Sequence, residues 1–263
     1  MEDFSTLTIA RRGLVAEITL TRPELLNRFD DLLHQEFTSA LQSLRSERDL
    51  RAIVLASTGK VFSAGGDFEL MKACNADLAT AVRVTDDGHR LLATLLDVPQ
   101  PVVVAMQGPA IGLGATIVLA CDAIVAARTA QISDPHVSIG LVAGDGGCLV
   151  WPQAAGILRA KRHLLTGDAL SAEDAFSMGL ITDLVDTSDD VLPAARALAD
   201  RIAQLPPIAV QGTKRALNHV LQQRAGEVLD LSFALEIQSL RSDDLLEAIA
   251  AFTERRPGTY RGA

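Results

Sequence analysis

The stretch QGPAIGLG, residues Gln107–Gly114, lies between the apolar run Val102–Met106 and a second apolar segment, Ala115–Ala120. The first run has the length and composition of a buried strand, and the second those of a short helix. Glycines in the loop let the backbone turn sharply and bring its N–H groups close to a ligand. Because backbone donors at a helix start stabilise negative charge, the stretch predicts a layered α/β fold with a site for a developing anion.

A second glycine loop, FSAGGDF, spans Phe62–Phe68 and follows another apolar run, Ala52–Ser57. Asp67 is a natural N-cap for the helix expected after this loop. Alone, either loop would be an ordinary connection between a strand and a helix. Together they can aim two backbone donors at one point, and losing one donor of such an oxyanion hole costs about 2.7–4 kcal/mol of barrier.

Strands and helices alternate around the two loops. Strands are predicted over 7–10, 15–20, 52–57, 102–106 and 123–127, with a hairpin turn at Gly13, and helices over about 31–45, 81–96 and 115–120. From Val191 onward the pattern is purely helical, with Pro206 and Pro207 separating two helices. The sequence therefore predicts an α/β core over residues 1–190 and a C-terminal helical region over 191–263.

The composition indicates a protein that needs neither a metal nor a disulfide to fold. The chain has 263 residues, 48% of them apolar, which is enough to bury one large core. Cys74, Cys121 and Cys148 are scattered without C-x-x-C spacing, and the five histidines show no spacing typical of zinc ligands. We therefore expect reduced thiols, no metal site and a cytoplasmic location.

The charge distribution argues against nucleic-acid and membrane partners. The net charge is −9 at pH 7, and Lys and Arg form no long run that could follow a phosphate backbone. The first residues, MEDFSTLTIARRG, start acidic and contain no uninterrupted apolar stretch, so neither a signal peptide nor a transmembrane helix is expected. A phosphorylated small molecule can still be held, because a few local cations suffice.

Five motifs resemble those of the enoyl-CoA hydratase/isomerase (crotonase) superfamily over nearly the whole chain. They are FSAGGDF, QGPAIGLGATIVLACD, ISDPHVSIGL, LLTGDALSAEDAFSMGLITDLV and the final AFTERRP. The resemblance implies a spiral of stacked β-β-α units with a C-terminal helical trimerisation region, assembled as a homotrimer or a dimer of trimers. It also implies an acyl-CoA thioester substrate, so that coenzyme A enters as part of the substrate and no separate cofactor is expected.

The resemblance also implies which residues bind the thioester. In the family, two backbone N–H groups form the oxyanion hole, and the matching residues are Ala64 and Leu113, the second of which is more often glycine. Coenzyme A is expected near the first loop and the last helix. The matching residues are Arg22, Ser63, Ala64, Gly66, Asp67, Phe252 and Arg255. Phe252 could instead be an ordinary core aromatic residue, and Arg22 and Arg255 could be ordinary solvated side chains.

Two positions depart from the hydratases of the family. Those enzymes add water to an enoyl double bond with two glutamates, and the matching positions hold Thr116 and His136. General acid–base catalysis needs groups that hold and release a proton near neutral pH, and a threonine hydroxyl does not. The two-glutamate mechanism is therefore not expected in this chain.

The turn PHVSIGLVAGDGG, residues 135–147, contains other titratable groups, His136 and Asp145. The pattern is similar to that of β-diketone C–C hydrolases in the superfamily, whose histidine and aspartate in such a turn are catalytic. Those enzymes also use a second histidine, where this chain has Leu113, and a glutamate on a C-terminal helix, where it has Glu236. A structural histidine and a turn-forming aspartate are the alternatives.

The sequence leaves three functions open. The first is an acyl-CoA enzyme that stabilises a thioester enolate during hydration or isomerisation of an enoyl-CoA, with His136 and Asp145 facing the space between Ala64 and Leu113. The second is a C–C bond hydrolase that uses His136 and Asp145 on a β-diketone or its CoA ester. The third is a non-catalytic acyl-CoA-binding protein.

Overall fold

Nine strands form two sheets in the computed structural model of the chain, which describes residues 3–263. The strands are β1 (Leu7–Arg12), β2 (Val15–Leu20), β3 (Ala52–Ser57), β4 (Val102–Met106), β5 (Ala110–Ile111), β6 (Ala123–Ala127), β7 (Gln131–Ser133), β8 (Leu170–Ser171) and β9 (Asp183–Val185). The main sheet has the order β1-β2-β3-β4-β6-β9. Its first two strands are an antiparallel hairpin, and all other neighbours are parallel.

Ten α-helices accompany these strands in the described part of the chain. They are α1 (Asp31–Arg45), α2 (Phe68–Ala76), α3 (Leu78–Asp97), α4 (Leu113–Leu119), α5 (Gly147–Ala155), α6 (Ile157–Leu164), α7 (Ala172–Met178), α8 (Ser188–Ala203), α9 (Pro207–Leu240) and α10 (Asp243–Glu254). Within residues 3–263, no helix combines the length and the apolar character needed to cross a membrane.

Helices cover the main sheet, so its central strands are buried. Almost every residue of β3 and β4 is buried, as expected of parallel strands covered on both faces. Helix α8 packs on β3, β4 and β6, and its Ala195 and Ala199 belong to the main apolar core. The boundary predicted after residue 190 falls inside α8, so this helix belongs to the core rather than to the C-terminal helical region.

Most elements predicted from the sequence are confirmed. Strands β2, β3, β4 and β6 have the predicted bounds, and the hairpin turns at Gly13 with a φ of +61°. Asp30 caps α1 by accepting a hydrogen bond from the N–H of Leu33 at 3.0 Å, and the two prolines Pro206 and Pro207 separate α8 from α9.

The second sheet, β5-β7-β8, was not predicted, because its strands have only two or three residues each. Strand β5 pairs in parallel with β7, so that Ile111 lies beside Ser133. This pairing sets the second glycine loop beside the turn that starts at Pro135. The small sheet therefore brings together two segments that carry predicted site residues.

Candidate functional site

A cavity of about 70 Å³ lies between the two glycine loops, the turn over 135–147 and helix α9. Its polar wall includes His136, Asp145 and Glu236, and both Gly66 and Leu113 line it. Most of the remaining wall is apolar and consists of Phe29, Leu70, Met71, Val84, Leu141, Phe233 and Leu240. Charges and dipoles in such apolar surroundings interact more strongly than in water.

The two glycine loops touch each other at this cavity. The N–H of Ile111 donates to the carbonyl of Ser63 at 3.0 Å. Gly65 has a φ of +84°, and a Cβ placed there would lie 2.6 Å from the carbonyl oxygen of Ile111. A side chain is therefore excluded at position 65, and the close approach of the loops depends on this glycine.

The structure corrects the assignment of one oxyanion donor. The N–H of Ala64 donates to the carbonyl of Leu26 at 3.0 Å, so it is not free to bind a substrate. Gly66 and Leu113 both line the cavity, and neither N–H has a hydrogen-bond partner within residues 3–263. Gly66 and Leu113 are therefore the residues of the two loops whose N–H groups are available at the cavity, and the donor role of Leu113 stays a prediction.

His136 begins a short 3₁₀ turn and is held between two carboxylates. Its Nδ1 contacts Oδ1 of Asp134, and its Nε2 lies 3.2 Å from Oδ2 of Asp145. The imidazole also lies against the second glycine loop, because a Cβ on Gly112 would be 3.4 Å from its Cε1. His136 and Asp145 line the same cavity as Leu113, whereas Ala64, the other residue that they were predicted to face, is not part of its lining.

The two carboxylates determine the charge of the histidine. Burial alone would lower the pKa of His136, but Asp145 and Asp134 outweigh it and raise that pKa well above its ordinary value. Burial likewise acts to raise the pKa of Asp145, yet the charge and hydrogen bond of His136 lower it. At neutral pH the pair is therefore an imidazolium and a carboxylate.

Thr116 supports this pair rather than facing the cavity. Its side chain is fully buried, and its hydroxyl donates to Oδ1 of Asp145 at 3.4 Å. The position of the first hydratase glutamate is thus occupied by a group that orients Asp145.

Glu236 comes to the site from helix α9. The turn and the helix approach closely at Gly144, where a Cβ would lie 2.6 Å from Cβ of Glu236, and the hydroxyl of Ser232 donates to the carbonyl of Gly144 at 3.0 Å. Oε2 of Glu236 is buried and has no hydrogen-bond partner within the described chain. Burial, reinforced by the charge of Asp145, raises the pKa of Glu236 well above its ordinary value. Its surroundings therefore favour the protonated form of this carboxyl.

The sequence did not identify two buried polar residues at the site. Asp134 precedes His136 by two residues, and the Asp-Pro-His order was the signal available for it. His34, on α1, lines the cavity and lies edge-on to Phe29 with ring centroids 5.5 Å apart. Burial lowers the pKa of His34, so it is neutral. Its helical position resembles that of an ordinary core residue, and no motif marks it.

Among the residues expected to contact coenzyme A, Gly66 and Asp67 line the cavity, whereas Phe252 and Arg255 lie at the end of α10. Arg22 forms two hydrogen bonds with Asp30, at 2.7 and 2.8 Å. The hydroxyl of Ser63 is buried and donates to the carbonyl of Asn27 at 2.8 Å. Asp67 caps α2, accepting from the N–H of Leu70 at 2.9 Å. These contacts give Arg22, Ser63 and Asp67 structural partners, and their binding to coenzyme A stays a prediction.

Phe252 and Arg255 lie at the end of α10. The ring of Phe252 is 65% exposed and packs edge-on against Phe68 with centroids 5.5 Å apart, which brings α10 to the helix that follows the first loop. Arg255 is exposed in the αL conformation that ends α10. Their contact with coenzyme A also stays a prediction. Within residues 3–263, no group of three or more His, Cys, Asp or Glu side chains is arranged to hold a metal ion.

Comparisons with known proteins agree with this architecture. The family model described as enoyl-CoA hydratase/isomerase matches residues 10–263. A probable enoyl-CoA hydratase of Mycobacterium bovis is 33% identical over 253 residues, covering 96% of each chain. The 1,2-epoxyphenylacetyl-CoA isomerase of Escherichia coli is 31% identical over 250 residues, covering 94% of this chain and 95% of its own.

A solved structure shows the same fold. The crystal structure of an enoyl-CoA hydratase/isomerase from Mycobacterium paratuberculosis matches with a TM-score of 0.90 and 36% identity, over 95% of this chain and 99% of the other. This match confirms the predicted crotonase-like α/β fold. Since the family model also covers almost the whole sequence, the chain belongs to the enoyl-CoA hydratase/isomerase family.

Proposed function

We infer that the chain is an acyl-CoA-processing enzyme, and we propose that its cavity holds the reacting part of an acyl-CoA thioester. The free N–H groups of Gly66 and Leu113 line the cavity and can donate to the thioester carbonyl oxygen. Negative charge develops on that oxygen when a base removes a proton from the α carbon or when a nucleophile adds to the β carbon. Donors fixed in advance in an apolar site lower the barrier of such a step.

The observation that carries the proposal is that two carboxyls in different surroundings line one cavity: Asp145 contacts His136, whereas Oε2 of Glu236 is buried without a hydrogen-bond partner within residues 3–263. Against the opposing effect of burial, His136 lowers the pKa of Asp145, whereas burial raises the pKa of Glu236. One carboxyl can accept a proton while the other donates one, which is what acid–base catalysis at the two carbons of an enoyl group requires. These two residues take the roles that two glutamates have in the hydratases of the family.

Hydration of an enoyl-CoA would then run as follows. Asp145 accepts a proton from water as the water oxygen bonds to the β carbon, and the thioester carbonyl becomes an enolate held by the two N–H groups. Glu236 gives its proton to the α carbon. After the product leaves, the proton on Asp145 returns to Glu236. Isomerisation uses the same groups without water, since one carboxyl removes a proton from one carbon and a proton is returned to another.

The test is turnover of a short enoyl-CoA, such as crotonyl-CoA for hydration and a 3-enoyl-CoA for isomerisation. We expect Asp145→Asn and Glu236→Gln each to lower turnover by about 10²–10⁴-fold, the usual size of a general acid–base contribution. The matched control is Asp86→Asn, because Asp86 is exposed on α3 and outside the cavity. Full turnover in both cavity variants would contradict the assignment.

A second candidate function is C–C bond hydrolysis of a β-diketone or its CoA ester. It is favoured by the contact between His136 and Asp145 together with the presence of Glu236 in the same cavity. In that reaction Asp145 accepts a proton from water as the water oxygen bonds to one carbonyl carbon. The C–C bond then breaks, its electron pair stays with the leaving carbon, and that carbon receives the proton of Glu236. After the products leave, the proton on Asp145 returns to Glu236. Appearance of a carboxylic acid and a ketone from a β-diketone, without turnover of enoyl-CoA, would favour this function. The retained acid–base groups do not favour the non-catalytic alternative.

We also propose that the protein forms a homotrimer or a dimer of trimers and that coenzyme A enters as part of the substrate. Support for assembly comes from helix α9, which leaves large apolar side chains uncovered: Ile208, Leu217, Val220 and Leu231 are 90%, 68%, 53% and 63% exposed. Apolar surface of this kind commonly marks a contact with another chain. The three cysteines are free, which supports the expected cytoplasmic location.

A further inference from the structure

The proposed chemistry uses Asp145 and Glu236 but leaves a third acidic residue, Asp134, without a task. Its side chain is completely buried. Oδ1 contacts Nδ1 of His136, and Oδ2 has no hydrogen-bond partner within residues 3–263. A buried polar atom without a partner costs about 1–3 kcal/mol. A buried carboxylate placed at that cost against His136 calls for a function.

The contact with Asp134 fixes which way the imidazole faces. With Nδ1 directed at Asp134, it is Nε2 that meets Asp145 at 3.2 Å. Both ring nitrogens of an imidazolium donate, so each carboxylate receives one N–H. Asp145 in turn accepts from the hydroxyl of Thr116 at 3.4 Å. The orientation of Asp145 therefore depends on a ring that Asp134 holds.

We propose that Asp134 is a positioning residue: by binding Nδ1 of His136 it holds Nε2 on Asp145, so that the Asp145 carboxylate keeps one fixed orientation toward the acyl group. This inference rests on the proposed function, in which Asp145 is the base. It assigns His136 the part of a charged link between two carboxylates rather than that of the base itself.

The space around Asp134 is shaped for its carboxylate. Helix α5 starts at Gly147, where an added Cβ would lie 2.3 Å from Oδ2 of Asp134 and 3.0 Å from Cβ of Ala143. The first turn of α5 therefore approaches the carboxylate because residue 147 has no side chain. This contact supplies a second way to disturb Asp134 without altering any charge.

The test uses Asp134→Asn, an isosteric change that removes the charge. We expect kcat to fall about 10–100-fold with KM nearly unchanged, a loss comparable to that of removing the partner that orients a metal-binding histidine. We also expect the ring nitrogen signals of His136 in nitrogen-15 NMR to titrate at a lower pH, because one of its two carboxylates has lost its charge. Asp145, Glu236 and Cys148 also interact with this ring, and His34 lines the same cavity. All four are unchanged in the variant.

Gly147→Ala is the second variant, since its added methyl would displace the Asp134 carboxylate. Like Asp134→Asn it should lower kcat, although it removes no titratable group. Asp86→Asn and Gly212→Ala are the matched controls, because the first is exposed and a Cβ at Gly212 meets no atom within 4 Å. Both controls should keep the kcat and the His136 signals of the parent protein.

Two outcomes distinguish a failure of the positioning role of Asp134 from a failure of the proposed function. An Asp134→Asn protein that unfolds at a lower temperature but keeps kcat and the His136 titration would show a purely structural carboxylate and overturn the proposal. Wild-type protein that turns over neither enoyl-CoA nor β-diketone would overturn the proposed function. In that case the NMR titration of His136 still decides whether Asp134 holds the ring.

Discussion

Nε2 of His136 lies 3.2 Å from Oδ2 of Asp145, which joins the two ends of one turn beside the second glycine loop. Since Asp134 contacts the other ring nitrogen, the imidazole is bound on both sides by carboxylates and carries a positive charge. A charged imidazole cannot accept a proton. Of the two residues that the sequence offered as the proton acceptor, only Asp145 can therefore act as the base. His136 keeps Asp145 ionised inside an apolar cavity.

Replacing His136 by alanine should therefore lower turnover by about 10²–10⁴-fold. The change removes the charge that keeps the pKa of Asp145 low, so the buried carboxyl would bind a proton and stop acting as a base. Binding of coenzyme A should be nearly unchanged, because the residues predicted to contact it lie outside this turn. Turnover and isothermal titration with coenzyme A measure the two effects, and unchanged turnover would remove His136 from the mechanism.

The sequence predicted the strands and loops well because their signals are local. Apolar runs such as Ala52–Ser57 and a capping aspartate such as Asp30 determine elements through neighbouring residues alone. The short strands β5, β7 and β8 were missed because two or three residues carry no periodicity, and their pairing depends on contacts between distant segments.

The site was predicted only in part, because some of its residues are marked by a local motif and others are brought in by contacts between distant segments. His136 and Asp145 lie in one turn, and their motif could be recognised. Glu236 was an open alternative, since only the packing of α9 on Gly144 places it in the cavity. The first donor was wrongly assigned to Ala64 because a sequence does not reveal which N–H of a loop already has a partner, in this case the carbonyl of Leu26.

The pH dependence of turnover should show a falling alkaline limb that belongs to Glu236. Its pKa is raised well above the ordinary value, and the protonated form is the acid, so activity is lost as pH rises through that raised pKa. In Glu236→Gln the residual rate should lack this limb. Because Glu236 and Asp145 interact, this alkaline limb reports a pKa that belongs to the pair. An alkaline limb that persists unchanged in Glu236→Gln would contradict its assignment to Glu236.

Gly114→Ala should destabilise the fold and reduce turnover. A Cβ at Gly114 would lie 2.8 Å from Cβ of Ser63 and 3.0 Å from its carbonyl oxygen, so the methyl would force the two glycine loops apart. Overpacking of this kind costs about 1–3 kcal/mol. The control is Gly212→Ala, inside α9 with no atom within 4 Å of the new methyl, which should stabilise by about 0.5–1 kcal/mol. Denaturant unfolding measures both free energies, and equal stabilities would count against the close loop contact.

The assembly should depend on the apolar face of α9. Leu217 and Leu231 are 68% and 63% exposed in the isolated chain. Light scattering at micromolar concentration should give the mass of a trimer or a hexamer for the parent protein. Leu217→Asp or Leu231→Asp should lower that mass if the residue lies in the contact, because a charge would be buried without a partner. A monomer in the parent protein would overturn the assembly proposal.

Glu236→Gln should make the protein more stable at alkaline pH although it removes the catalytic acid. The folded-state pKa of Glu236 is raised above its ordinary value, so above roughly pH 4.5 the unfolded chain gives up a proton that the folded protein keeps. The folded state then binds more protons than the unfolded state, and the stability of the parent protein declines with rising pH through this group. Glutamine has no such proton, so its stability does not decline with pH through this position.

Thermal unfolding at pH 5 and pH 8 tests this prediction. The Tm of Glu236→Gln minus the Tm of the parent protein should be larger at pH 8 than at pH 5. The matched control is Glu227→Gln, an exposed residue of the same helix, which should leave the difference between the two pH values almost unchanged. A parent protein whose stability relative to Glu236→Gln is the same at both pH values would mean that Glu236 is ionised in the folded state, and it would then not be the proton donor.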